Sequence, residues 1–270
     1  MFINYADDIK KAGKYLFDKS FVAANDGNIS VKIAEDQILI TCTGISKGAI
    51  SEDDIVRMDM AGRVLSGSRK PSQEYRMHLK IYESRLDVCA IVHAHPPKAT
   101  AFAVAGLGID KVSLPEVILS LGSVAFAEYG TPTTEALSEN VAKAIGNCDV
   151  AILQNHGAVA VGKSVMDAYY KMETLEHTCA ISLYARLLGG EKTLNKQEAD
   201  RLFEIRKSAV DNEPPGCVNC GKCSCIEAKK SDIPVNMDAD RASLEEIETG
   251  EMKRYVSEIV RRTMLEIDNK

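Results

Sequence analysis

The chain has 270 residues, 45% of them hydrophobic and 27% charged, a globular composition with enough apolar content to bury a core unaided. Its net charge of −6 argues against a general nucleic-acid surface, which needs clustered Lys and Arg. No apolar run of about 18 residues is present and the opening MFINYADDIKKAGKYLF lacks the features of a secretory signal, so neither a membrane span nor export is expected, and a reducing cytoplasm is.

Taken in chain order, Ile9, Ala12, Leu16 and Phe17 have helical spacing and predict a first amphipathic helix. QILITCT (37–43), DVCAIVHAH (87–95) and DVAILQNHGAVAVG (149–162) are dense in Val, Ile and Ala, as buried strands are. Between them, residues 72–85 read as a helix with Met77, Ile81 and Tyr82 on one side. Thr134 opens another helix running through Ala144, with Glu135 in the first turn where the macrodipole favours a negative charge. Ser164 and Gly189-Gly190 bracket a long helix over 164–188, and a further helix follows over 196–209. The pattern is an α/β domain occupying residues 1–212.

Pro214-Pro215-Gly216 stops regular structure and begins a polar, Cys-containing linker over 213–245. Residues 246–270 turn helical again, with Met252, Tyr255, Val256, Ile259, Val260, Met264 and Ile267 on one stripe. Such a helix can pack on its own domain, join subunits or dock another protein. Balanced charges on its polar face argue against a membrane-surface role.

Of the eight cysteines, Cys42, Cys89, Cys148 and Cys179 lie in apolar surroundings and are expected to be buried thiols. Cys217, Cys220, Cys223 and Cys225 form C-x2-C-x2-C-x-C, a spacing open to zinc, to an iron–sulfur cluster, to redox-active thiols or to no bound ion. No catalytic role is assigned to them.

The histidines carry the sharper signal. His93 and His95 stand two apart at the end of a strand, so both point to one face, and Pro96-Pro97 places them at a rim. His156 sits where another apolar run meets a glycine. Three imidazoles with one open position suit a catalytic zinc, although an isolated HxH is more often two half-buried polar residues. Glu74 lies at the start of a helix, aimed where it can enter a cleft, and the turns DGNIS (26–30) and TGIS (43–46) offer backbone N–H groups of the kind that cradle phosphate. His78 and His177 lie inside helices without partner spacing and read as structural.

GNISVK, TCTGISKG, PSQEYRMHLKIY, VHAHPPKATA, LPEVILSLG and QNHGAVAVG, in this order, resemble the class II aldolase/adducin family, and within it the L-fuculose-1-phosphate aldolases. The resemblance spans about residues 3–210 and implies a central, mainly antiparallel sheet flanked by helices, a homotetramer, and active sites near subunit interfaces. Carried over position by position, it implies His93, His95 and His156 as ligands of one zinc ion per subunit and Glu74 as acid/base. Gly27, Asn28, Thr43, Gly44, Ser72 and Gln73 match the substrate-phosphate positions.

The reaction implied is cleavage of L-fuculose 1-phosphate or L-rhamnulose 1-phosphate through a metal-stabilised enediolate, giving dihydroxyacetone phosphate and an aldehyde such as lactaldehyde. Methylthioribulose-1-phosphate dehydratases share the three histidines and the glutamate. Pentulose-phosphate 4-epimerases of the family carry Asp where this chain has Glu74, and adducin-like binding members lack the metal ligands. Where the aldolases place aromatic residues at the aldehyde end, this chain offers Leu119 and Pro132, with Tyr129 nearby, which leaves the aldehyde open. The linker and terminal helix resemble an encapsulation peptide, implying a bacterial microcompartment shell protein as partner.

Overall fold

In the computed structural model, residues 5–111 and 113–209 are described. The expectations for the linker 213–245, for Cys217, Cys220, Cys223 and Cys225, and for the helix 246–270 lie outside those residues.

Eight strands form one sheet: β1 (Asn28–Ala34), β2 (Gln37–Thr41), β3 (Ile55–Asp59), β4 (Val64–Ser66), β5 (Ala90–Ala94), β6 (Val124–Ala127), β7 (Val150–Leu153) and β8 (Gly157–Gly162). Their order is β4-β3-β2-β1-β5-β8-β7-β6, and every pairing is antiparallel except β6 with β7. The helices are α1 (Tyr5–Asp18), α2 (Tyr75–Ser84), α3 (Pro97–Val104), α4 (Pro115–Ser120), α5 (Glu135–Ile145), α6 (Val165–Leu187) and α7 (Lys196–Ala209). The mainly antiparallel α/β architecture implied by the resemblance is therefore the one found.

Strand alternation divides the core in two. Ile29, Val31, Ala90, Val92, Ala94, Ile152, Ala158 and Ala160 face one side, where α1, α3 and α6 cover them. Ile38, Ile40, Val56, Met58, Ile91, Leu153, Val159 and Val161 face the other side, with Met77, Leu79, Ile81 and Tyr82 of α2 and Leu137, Val141 and Ile145 of α5. At about 25 cal/mol per Å2 of apolar surface removed from water, these two clusters hold the sheet between the helical layers. His93 has the parity of Ile91, so it projects toward α2, the helix whose first turn follows Glu74.

Three local expectations are corrected. Phe17 does not join Ile9, Ala12 and Leu16 in the core: it is half exposed and packs beside Gly48, because the buried stripe of α1 runs through Gly13 instead. The run 149–162 is a hairpin of β7 and β8, not one strand, since Asn155 turns the chain at φ 56°. Cys42, Cys148 and Cys179 are buried, but Cys89 is only partly so. Among the described residues no helix is long and apolar enough to cross a membrane.

Candidate active site

Two separate stretches of chain bring His93, His95 and His156 together, with one ligand atom from each lying within 4.8 Å of the others. His93 is fully buried in β5, next to Val159 of β8 in the sheet register. His95 follows the strand and is placed by its N–H donating to the Phe21 carbonyl at 2.9 Å. His156 closes the β7–β8 turn, its N–H donating to the Leu153 carbonyl at 3.0 Å. The glycine after it is a steric requirement: a Cβ on Gly157 would stand 2.5 Å from Cδ2 of His95 and 2.6 Å from the Ala94 carbonyl.

Second partners set the tautomers. Nδ1 of His93 lies 2.9 Å from the Ala158 carbonyl, which can only accept, so Nδ1 carries the hydrogen and Nε2 presents a lone pair. Nδ1 of His95 faces the Asp26 carboxylate at 3.3 Å, which leaves its Nε2 as an acceptor as well. The two Nε2 atoms are 3.2 Å apart. Two nitrogens bound to one tetrahedral zinc at about 2.0–2.1 Å stand roughly 3.3 Å apart, so this pair is spaced to share a cation.

Glu74 completes the group. Its Oε2 is 3.2 Å from His93 Nε2 and its Oε1 is 3.3 Å from His156 Nε2. The Asn28 side-chain amide donates to Oε2 at 2.9 Å, whereas Oε1, though buried, makes no hydrogen bond. Burial pushes the Glu74 carboxyl up, but His93, His156 and Asn28 together outweigh it and hold the group well below the usual carboxylate range. Burial likewise opposes a charge on His93, yet Glu74 prevails and raises it. Burial, with the neighbouring His93, lowers His95 and pushes His156 down to about 3. Three imidazole nitrogens beside an ionised carboxylate form a donor set that fits a divalent metal.

The positions matched to phosphate surround this group unevenly. A Cβ on Gly27, at φ 75°, would come within 2.7 Å of the His93 carbonyl, so the DGN turn packs directly against the strand carrying that histidine. Thr43 and Gly44 are exposed, and a bridge between Cys42 and Pro71 sets their turn beside Ser72. Ser72 is buried and its hydroxyl accepts the Glu74 N–H at 3.3 Å, while Gln73 is exposed. The Asn28 side chain is fully engaged: it holds Glu74, and its Oδ1 accepts from Nε2 of His78 at 2.5 Å.

Sequence reasoning did not single out Asp26, Ser30 or Tyr82 and left His78 as structural. His78 and Tyr82 were detectable, because with Glu74, the residue that caps α2, they follow one another at i, i+4.

A three-layer domain with three converged histidines and a carboxylate at the sheet rim has a donor set that could hold a metal ion, and the comparisons with known proteins give it a family. The model of the class II aldolase and adducin N-terminal domain matches residues 7–183, and the chain belongs to that family, on its aldehyde-lyase side. It is 38% identical over 173 residues to an L-fuculose phosphate aldolase of Methanocaldococcus jannaschii, covering 64% of this chain and 92% of the relative. A 3-oxo-tetronate 4-phosphate decarboxylase of Pectobacterium atrosepticum is 29% identical over 202 residues, covering 73% and 90%. The solved structure of an L-fuculose 1-phosphate aldolase superposes with a TM-score of 0.71 at 33% identity, over 77% of this chain and 98% of that one.

Proposed function

We propose that this class II aldolase cleaves L-fuculose 1-phosphate or L-rhamnulose 1-phosphate to dihydroxyacetone phosphate and an aldehyde such as lactaldehyde. The reading is carried by one observation: the ligand atoms of His93, His95 and His156 meet within 4.8 Å of one another, with Glu74 against two of the rings. These three imidazoles would hold a divalent ion, with zinc the best match to an all-nitrogen set and an open position. Such an ion supplies Lewis-acid withdrawal of charge from the sugar carbonyl.

The chain's own groups do the rest. Glu74, set against two of the rings that would hold the ion, moves the proton at the sugar carbon that the aldehyde leaves. Asn28 holds one carboxylate oxygen and the Ser72 hydroxyl holds the Glu74 backbone, so the carboxylate is aimed before substrate arrives. Gly27, Thr43, Gly44, Ser72 and Gln73, with the backbone at Asn28, take the substrate phosphate through turn N–H groups and short polar side chains.

The test is incubation of the full chain, zinc supplied, with each ketose phosphate while dihydroxyacetone phosphate is measured. Activity abolished by a chelator and restored by zinc supports the reading; no carbon–carbon cleavage with either sugar rejects it. Similarity to the decarboxylase supports a second reading, in which carbon dioxide departs instead of an aldehyde. Release of carbon dioxide from a 3-oxo acid phosphate, without aldolase turnover, would select it.

The domain reading is part of the same proposal: an aldolase domain over 1–212, assembling as a homotetramer, a linker over 213–245, and an encapsulation peptide over 246–270. Light scattering tests the tetramer. Deleting 246–270 should spare catalysis and abolish recruitment to a microcompartment shell; unchanged recruitment removes that partner.

A further inference from the structure

Behind Asn28, which holds Glu74, runs a line of buried polar groups, His78, Ser30 and Tyr82, to which neither the family match nor the site reading gives a role. Nε2 of His78 is 2.5 Å from Asn28 Oδ1, its Nδ1 is 2.6 Å from Ser30 Oγ, and Ser30 Oγ is 2.8 Å from the Tyr82 hydroxyl. Ser30 and His78 are wholly inaccessible, Tyr82 is 1% exposed and Asn28 is 3% exposed. Bulk solvent does not reach these groups, so each hydrogen is placed by its neighbour.

Only one order satisfies them all. The ionised Glu74 carboxylate can only accept, so Asn28 must turn its NH2 toward it. Oδ1 then faces His78 and can only accept, which requires the hydrogen on Nε2. The neutral ring leaves a lone pair on Nδ1, so Ser30 donates to it and accepts from the Tyr82 hydroxyl. The opposite imidazole tautomer would set a lone pair against Oδ1 and favour flipping the amide, which would turn Oδ1 on Glu74.

We propose that His78 is a positioning residue for the lyase reaction: held as its Nε2–H tautomer by Ser30 and Tyr82, it locks the Asn28 amide in the one orientation that aims Glu74. The inference rests on the aldolase reading for its catalytic consequence, but the hydrogen-bond order does not. Leaving one of these buried groups mispaired costs catalysis about 10- to 100-fold if Glu74 is no longer aimed.

Two variants separate positioning from packing. His78→Gln keeps a donor for Asn28 and an acceptor for Ser30, whereas His78→Met keeps the volume and neither group. With zinc supplied, the expected result is that the Gln variant retains most of the wild-type kcat. The Met variant should lose kcat by about 10- to 100-fold, with KM and zinc content near wild type. Equal activity of the Met and Gln variants overturns the proposal. An inactive wild-type chain instead overturns the aldolase reading. Nitrogen NMR of the wild-type imidazoles, assigned by through-bond correlation to their own backbone, gives an answer without turnover: a protonated Nε2 and bare Nδ1 on His78 support the order, and a protonated Nδ1 rejects it. That measurement also decides the matter should neither variant fold.

Discussion

Glu74 reaches His156 across 82 positions of sequence, setting its Oε1 atom 3.3 Å from the ring Nε2, with nothing hydrogen-bonded to that oxygen. The other oxygen is held by Asn28, which leaves Oε1 the less encumbered of the two for proton exchange. Glu74→Gln keeps the size of the group and an acceptor oxygen but cannot carry the proton. The expected outcome is a fall in kcat of about 100- to 10,000-fold. Zinc content, measured by mass spectrometry of the metal, should stay near one per chain. A variant that loses zinc in proportion to activity would make Glu74 a ligand rather than a proton carrier.

Asp26 faces Nδ1 of His95 at 3.3 Å and is the carboxylate that orients this half-buried ring. Carboxylates behind a metal-binding imidazole fix its tautomer and raise its basicity. Asp26→Ala should therefore weaken zinc binding, by about 10-fold given the partial exposure of Asp26, in the range of about 10- to 100-fold seen for such partners. Competition against a coloured chelator measures it. Affinity equal to that of the wild type would show that the strand end positions His95 without help.

Much of this site could be read from the residues alone, and the limits of that reading are physical. His93 and His95 share a face because strand residues alternate, a rule that holds without knowing the neighbours. Glycine after His156 was visible, although its reason, the His95 ring and the Ala94 carbonyl beside it, comes from another strand. β3 and β4, with sequences IVRMD and VLS, are too short to announce themselves, and β1 begins inside a turn. Asp26 offered no local sign at all, since its partner is 69 positions away and the register of β1 with β5 brings them together. Asn28 and Ser30 are a strand pair at i, i+2 that faces the α2 stripe Glu74, His78 and Tyr82. Each half was in the sequence, but the match between them is tertiary.

Lys47 is 1% exposed, and its ammonium donates to the carbonyls of Asn25, at 3.0 Å, and Ile45, at 2.8 Å. It thus ties the turn bearing Gly27 to the turn bearing Gly44. Burial pushes its pKa below the ordinary lysine value. Lys47→Met preserves the apolar stem and strands both carbonyls, at a cost of about 1–3 kcal/mol in stability for each one left unsatisfied. Because both turns belong to the proposed phosphate cradle, KM for the sugar phosphate should rise while zinc affinity holds. Urea unfolding and steady-state kinetics check the two effects. An unchanged KM would place the cradle elsewhere.

Two histidines make acid stability a test of the whole arrangement. Burial holds both His78 and His156 at about 3, against 6.5 for an ordinary imidazole. Between those values the unfolded chain binds protons that the folded chain refuses, so stability falls as pH drops from 6.5 toward 3. The slope is up to about 1.4 kcal/mol per pH unit for each histidine. His93 has the opposite sign: raised in the fold, it contributes stability that is complete below 6.5 and adds no slope there. The lowered Glu74 adds its own loss only once pH falls below 4.5, where the unfolded carboxyl takes up a proton. Urea unfolding of the chelator-treated protein at pH 7 and pH 5.5 should show the wild type losing stability. His78→Gln should lose less, since one of the rings held below the ordinary value, His78, His95 and His156, is gone. Stability that stays flat across that interval would mean that these rings are hydrated in solution and that the enclosed site described above does not persist there.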